Sequence, residues 1–391
     1  VTHHHPTPQP TNPNPNARGL AAAPSLTVLS DQPARWAPHG KDPLTWDQAR
    51  ERVAAADAAD GARSDLAIGD LSAWVVGPRA DGVACLTPIP MPGRPNPGLI
   101  PMRKSAFRHL VASLPGKPTA DYLLQLPAKL ATANISVGLQ RLDPDNTSKL
   151  LRLAGGEARA LASEKYAPLD NDLVLDTTER VLRAMGMLRD VRVTDLAVGP
   201  TLALRVVLPG EAVAVRKGDV IQHGLDIGNG ETLTRSVSVC PVTYRLVCLN
   251  GMRRWETGAA KRWSHVGDPE RLRQAFTDAV PVALAEAKGL RDSMRTAVDR
   301  LVDDALGEIE GLSAFGFGVN ETRAIARDLF ADRGLALPAA TDAWADAIAT
   351  AGPVSVFDVA NAITHTAQTR NVDDRLAYEE AGGAYLLRRT R

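Results

Sequence analysis

The stretch VRVTDLAVGPTLALRVVLP, residues 191–209, decides the fold class. Leu202, Leu204, Val206 and Leu208 alternate with residues of another face, the period of two expected of a strand, and Gly199 and Pro200 break the run into two such segments. A pair of antiparallel strands is expected. A second pair follows, VIQHGLDI (220–227) and TLTRSVSV (232–239), with Gly228, Asn229 and Gly230 as the turn. A two-residue loop of Asn229 and Gly230 would set Ile221, Leu225 and Ile227 opposite Ser238, Thr234 and Thr232. A three-residue loop instead sets Leu225 opposite Leu233 and Ile221 opposite Val237, keeping one face apolar, and is the predicted register. It leaves His223 opposite Arg235.

Working outward, ARALASEKYAPLDNDLVLDTTERVLRAMG (158–186) reads as a strand and then a helix that opens after Pro168, with Asp170 or Asn171 as N-cap, and stops at Gly186. Acids suit a helix's first turn, which is the preferred account of Asp170, Asp172 and Asp176; a divalent-cation site is the alternative. In PVTYRLVCLNG (241–251), Pro241 and Gly251 fit the ends of a short helix, whereas Val242, Thr243 and Val247 favour a strand. In either case Asn250 and Gly251 are expected to turn the chain and present Arg253, Arg254 and Trp255 on a loop. Beyond Asp268, an N-cap with Pro269 in the first position, the sequence reads as helical nearly to its end. Leu290, Met294, Val298, Leu301, Ala305 and Ile309 form one apolar stripe, and Pro281 is expected to kink or divide that helix. Four more helices are predicted in NETRAIARDLFADRG, AATDAWADAIATA, VSVFDVANAITHTAQ and VDDRLAYEEAGGAYLL, with Trp344 and His365 as packing residues.

Upstream, residues 36–150 mix short apolar runs (LSAWVVG, VACLTPI), a proline-rich break at PIPMPGRPNPG and a helix near RKSAFRHLVASL. Arg103, Lys104, Arg108 and His109 are read there as an exposed helix face. The leader VTHHHPTPQPTNPNPNARG lacks apolar anchors and is expected to be disordered over its first ~18 residues. The organisation is therefore a tail (1–35), an α+β region (36–150), a central antiparallel sheet with helices (151–265) and a helical region (266–391). The fold class is α+β, an antiparallel sheet with hairpins packed by helices.

The 45 basic and 45 acidic residues cancel, so attraction to a polyanion must come from local clustering. Cys85, Cys240 and Cys248 form neither a CxxC pair nor an even framework, which fits a reduced, cytoplasmic protein. No apolar run is long enough to span a membrane. No GxSxG, HExxH, Walker loop or Cys/His pair appears, so no catalytic residue, metal or cofactor is assigned and an enzyme is disfavoured.

The chain does cluster charge in one place. Between Arg235 and Arg262 lie six Arg or Lys residues and one acid, Glu256, with Tyr244, Trp255 and Trp263 among them. Guanidinium and ammonium groups neutralise phosphates and aromatic rings stack on bases, so Arg235, Tyr244, Arg245, Arg253, Arg254, Trp255, Lys261, Arg262 and Trp263 are the candidate site for single-stranded nucleic acid. The alternative reading makes the two tryptophans buried anchors at a domain interface, with the arginines paired to acids such as Asp299, Asp303, Asp304 and Glu308.

Three motifs, SEKYAPLDND, VTYRLVCLNGM and KRWSHVG, resemble the phage/plasmid-like proteins of the domain-of-unknown-function 932 family. Ser163, Lys165, Tyr166, Pro168, Leu169, Asp170 and Asn171 fill the first motif, with Glu164 where that family has Asp, and GNGETLTRSVSV departs from its usual turn. The resemblance implies a mobile-element protein linked to DNA metabolism, with no assigned activity. The broad layout is also similar to ring-forming single-strand annealing recombinases, which makes a homo-oligomer one of the expected partners.

Overall fold

The computed structural model describes residues 24–32, 35–36, 43–91, 97–209, 212–216, 219–245, 250–253, 260–339 and 343–390. It is an α+β protein whose chain forms two units, one of residues up to Asp31 with Asp65–Ser163, the other of Gln32–Ser64 with Glu164–Arg391. The boundary expected at 150/151 falls inside a strand, and the expected C-terminal region shares the larger unit with residues 164–265 of the expected central one. The predicted disordered leader, including His3, His4 and His5, lies outside the described residues.

The larger unit begins with β1 (Arg35–Trp36) and α1 (Trp46–Asp60), the latter closed by a capping box between Thr45 and Gln48. The chain passes into the smaller unit within β2 (Arg63–Ile68), after Ser64, and that unit then takes β3 (Trp74–Pro78), β4 (Ala84–Pro88), β5 (Ile100–Pro101), α2 (Lys104–Ser113), α3 (Ala120–Gln125), α4 (Ala128–Gln140), β6 (Lys149–Ala154) and β7 (Glu157–Ser163). Its two three-stranded sheets, β2-β6-β7 and β3-β4-β5, are joined by one core that includes Leu71, Leu86, Phe107, Leu110, Ile135 and Leu151. The expected surface patch divides here. Lys104 and Arg108 are exposed, but Arg103 is buried against Glu157. His109 buries an Nδ1 that has no hydrogen-bond partner among the described residues, and burial pushes its pKa down.

Returning to the larger unit, α5 (Asn171–Ala184) starts and stops where its sequence signals say, with Asp170 as N-cap residue and Gly186 at φ 71°. β8 (Arg192–Val198) and β9 (Thr201–Val207) pair antiparallel as predicted. They join β10 (Val213–Arg216), β11 (Asp219–Gly230), β12 (Val237–Arg245), β13 (Asn250–Arg253) and β14 (Lys261–Trp263) in an eight-stranded sheet of order β1-β8-β9-β11-β12-β13. β10 flanks β11, and β14 flanks β12.

The predicted hairpin register is wrong. Leu225 pairs with Pro241 and Ile227 with Val239, and His223 faces Thr243 rather than Arg235. Gly228, Asn229 and Gly230 are the last residues of β11, and the turn comes after them, with Leu233 in the left-handed region at φ 60°. Close approach is what these two glycines provide. A Cβ on Gly230 would lie 2.6 Å from the Arg235 nitrogen, and one on Gly228 would lie 2.7 Å from Ser238 Oγ and 3.0 Å from Arg235 Nε. Asn229 is buried instead of turning the chain, and its Nδ2 donates to the Leu169 carbonyl and to Asn171 Oδ1, each at 2.8 Å.

Pro241 likewise sits inside a strand, not at a helix start. β12 registers with β14 through Val239 and with β13 from Val242 onward, so the proline stands at the switch between neighbours, where its missing N–H is tolerated.

Past the sheet, α6 (Pro269–Asp299) runs through Pro281 without dividing. The predicted apolar stripe outlasts it: Met294 is buried on α6, Leu301 is exposed beyond its end, and Ala305 and Ile309 belong to α7 (Ala305–Glu310). The four remaining predicted helices are α8 (Val319–Ala331), α9 (Trp344–Ala351), α10 (Val356–Thr366) and α11 (Val372–Thr390). Trp344 packs as expected, while His365 is exposed, 3.4 Å from Asp328. Among the described residues no helix is long and apolar enough to cross a membrane.

Candidate nucleic-acid interface

Residues paired directly across antiparallel strands share a face, so the registers divide the eight-stranded sheet into two surfaces. On one, Leu202, Leu204, Val206, Leu225, Ile227, Val237 and Val239 meet α1, α5 and α6 in a core with Phe276 and Leu284. The other carries Asp195, Arg205 and Asp226 in one row across β8, β9 and β11. Arg253 and Arg262 extend it through their partners Val242 and Ser238 on β12.

This second face is ionic and buried. Arg205, 2 % exposed, donates to Asp226 with Nε and Nη2 at 2.8 Å each, to Asp195 with Nη1 at 2.9 Å, and to Glu379 of α11. Arg375 of α11 bridges Asp195 at 2.6 Å and Glu379 at 3.2 Å, and Arg253 approaches Asp226 at 2.9 Å. Burial by itself raises the Asp226 carboxyl, but the guanidiniums of Arg205, Arg253 and Arg375 together outweigh it and hold the group below the ordinary carboxylate range. α11 lies so close to β13 that a Cβ on Gly383 would meet the Arg253 carbonyl oxygen at 1.7 Å.

The predicted site is distributed across these surfaces. Arg253 is buried in β13 beside Asp226, not presented on a loop. Tyr244 and Arg245 end β12, paired with Gly251 and Asn250. Strand alternation splits Lys261, Arg262 and Trp263. Trp263 is half-buried and meets Phe276 edge-to-face at 6.3 Å, so this ring is an anchor of the apolar core, while Arg262 is exposed on the ionic face, 3.3 Å from Glu380. Lys261 is exposed at the sheet edge. Arg254 and Trp255 lie outside the described residues.

Arg235 stands apart from the others. It follows the turn after β11, lies over Gly228, and has Asp373 of α11 at 3.8 Å as its nearest carboxylate among the described residues, beyond hydrogen-bond reach. Burial, then the nearby guanidiniums of Arg253 and Arg262, push it down to about 10. Among the described residues, Asp226 meets Arg253, Asp373 meets Arg235 and Glu380 meets Arg262, while Glu308 is taken by Arg389 and Tyr385.

Two of the quoted motifs meet in space. Tyr166 stacks on His265 with centroids 5.2 Å apart and planes at 13°, and the Ala167 nitrogen donates to the His265 carbonyl at 3.1 Å. The Asn171 nitrogen donates to Glu231 Oε1 at 2.7 Å, and Arg63 bridges the same carboxylate to Asp57. These contacts tie α5 to the end of β11, which is a structural role. Asp176 is paired with Arg50, and among the described residues no group of three His, Cys, Asp or Glu is placed to hold a metal.

Sequence reasoning missed Asp195, Arg205, Asp226, Arg375 and Glu379. The signal was present, since VTDLAV, LALRVV and HGLDIG each hold a single charge in an otherwise apolar strand, and buried charges require partners. Comparison with family models, with curated proteins and with solved structures finds no match for this chain.

Proposed function

We propose that this protein binds single-stranded nucleic acid along the β12–β14 edge, with Arg235 and Arg262 contacting phosphates from the ionic face and Lys261 from the edge. The observation that carries the reading is Arg235, a largely buried guanidinium with no hydrogen-bonded carboxylate among the described residues, held beside Arg253 and Arg262 in a chain of zero net charge. An approaching phosphate relieves that repulsion. The resemblance of the three motifs to phage/plasmid-like proteins supports the same reading, a mobile-element protein acting on DNA in annealing or recombination. Arg254 and Trp255 extend the candidate surface by sequence.

The test is oligonucleotide anisotropy across a salt series. Wild type should bind at low salt, and Arg235→Ala with Arg262→Ala should weaken binding irrespective of sequence, lowering the salt slope by about 0.7 per lost contact. An absence of binding at low salt sinks the reading. In its place would stand a non-catalytic interaction protein whose basic segment is an internal interface, which the burial of Arg253 and the packing of Trp263 on Phe276 favour.

A further inference from the structure

Helix α8 sorts its charges to two sides. Its acids serve the helical bundle: Glu321 accepts from the Tyr378 hydroxyl at 2.9 Å and from the Gly318 nitrogen at 2.8 Å, and Asp328 accepts from the Thr366 hydroxyl at 2.7 Å. Asp332, just past the helix end, accepts from Asn361 Nδ2 at 3.1 Å. Arg323 and Arg327 stand one turn apart on the other side, both exposed. Among the described residues Arg323 has no ion pair, and Arg327 has only Asp328 at 3.8 Å, an acid already committed to Thr366. Beside these arginines lies a cleft of about 560 Å³. One wall is the α8 face of Arg323, Ala324, Arg327 and Ala331, and the other is the stretch 335–339, which brings Leu335, Leu337 and Pro338. The second wall is fixed in place. Gly334, at φ 71°, reverses the chain so that the Leu335 nitrogen donates to the Phe330 carbonyl at 3.0 Å. Leu337 then packs on the core, and Trp344 Nε1 donates to the Pro338 carbonyl at 3.0 Å. None of the described residues that line the cleft is a carboxylate.

We propose that this cleft binds a small organic monocarboxylate with an apolar body, its carboxylate on the Arg323 and Arg327 guanidiniums and its body against Ala324, Leu335 and Pro338. The volume lies within the range of roughly 300–1,000 Å³ common for small-molecule sites, which pair a preformed apolar wall with a few polar groups. Charge sets the sign of the ligand. Two cations at i and i+4 repel, a cationic ligand would add to that repulsion, and a carboxylate relieves it through charge-assisted hydrogen bonds of fixed geometry. The apolar wall sets its shape, since a bare inorganic ion would leave Leu335 and Pro338 in water and meet only exposed arginines, a contact worth little there. Other arginines of the bundle are already engaged: Arg333 with Asp358, Arg370 over the Tyr378 ring and Arg389 with Glu308. This site is independent of the nucleic-acid reading.

The probe is 4-phenylbutyrate, a carboxylate of about a dozen heavy atoms. Titrated into the full chain and followed by backbone amide shifts, it should saturate with a Kd on the order of 0.1–1 mM, and the shifts should centre on α8 and residues 335–339. Two relatives dissect the ligand: 4-phenylbutanamide lacks the charge and butyrate lacks the ring, and each should bind about tenfold more weakly. Arg323→Gln and Arg327→Gln should each weaken binding of the acid by about 3–10-fold. Ala336→Glu puts a competing carboxylate into the cleft and should abolish binding, while Lys261→Ala should change nothing. Arg323, Arg327 and Ala336 are all exposed, so these variants are expected to fold. No saturation by about 10 mM, shifts centred elsewhere, or amide binding as tight as acid binding overturns the proposal. So does wild-type affinity in both Gln variants, because the arginines would then not hold the ligand. An Asp/Glu-rich peptide that saturates the same amides where 4-phenylbutyrate does not would overturn it too, making the cleft a protein contact.

Discussion

The two faces of the eight-stranded sheet are built from the same strands and are held by opposite physics. The face against α1, α5 and α6 is apolar, with Leu204, Ile227 and Val239 in register across three strands. The face under α11 sets Asp195, Arg205 and Asp226 in the neighbouring row. Dispersion and burial act on the first face in small additive parts, so it yields gradually. The second face depends on mutual compensation of desolvated charges, so removing one member exposes the cost of all the others.

The largest expected effect is therefore on the ionic face. Arg205→Met, similar in volume and apolar, should cost about 3–5 kcal/mol in urea unfolding, because three carboxylates lose their common cation. A loss below about 1 kcal/mol would mean that the network is hydrated and the contrast between faces is false.

Acid should discriminate next. Asp226 is held below its unfolded value by Arg205, Arg253 and Arg375, so its stabilisation is present above the unfolded carboxylate pKa of roughly 4 and is lost as pH falls through the lower folded value. Unfolding free energy followed from pH 5 to pH 2 should fall less steeply in Asp226→Asn than in wild type. Equal slopes would show that other carboxylates govern acid unfolding.

Gly228→Ala should cost about 1–3 kcal/mol, since its Cβ would displace Arg235 and Ser238 together. On the apolar face, Ile227→Val should cost only about 0.5–1.5 kcal/mol, a graded loss with no change in acid sensitivity. The smallest effect belongs to Arg262→Gln, whose exposed pair with Glu380 should contribute less than about 0.5 kcal/mol to stability. If that variant nevertheless weakens oligonucleotide binding, the edge of the ionic face is a recognition surface as well as a scaffold.

Much of the fold was legible because it depends on local signals. The alternation of Leu202 to Leu208 gave β9, Asp268 with Pro269 opened α6, and Gly186 closed α5. The errors share a cause. Gly228, Asn229 and Gly230 have the composition of a turn, yet the two glycines are required because Arg235 and Ser238 approach their backbone, an approach that sequence does not encode. Pro241 looked like a helix start because nothing local reveals that β12 changes partners there. Arg253, next to Arg254 and Trp255 in sequence, looked like part of an exposed basic patch, and the strand pleat turned it inward to Asp226.

Local sequence determined most of the segments that become helices and strands, the stretches around Gly228 and Pro241 excepted, and it determined that charge is concentrated between Arg235 and Arg262, because propensity, capping and periodicity act over a few residues. Tertiary structure alone decided which of those charges remain available. Whether an arginine is a phosphate contact or a structural cation depends on the carboxylates brought to it by register and by α11, and Asp226 and Glu379 come from strands and helices far from it along the chain.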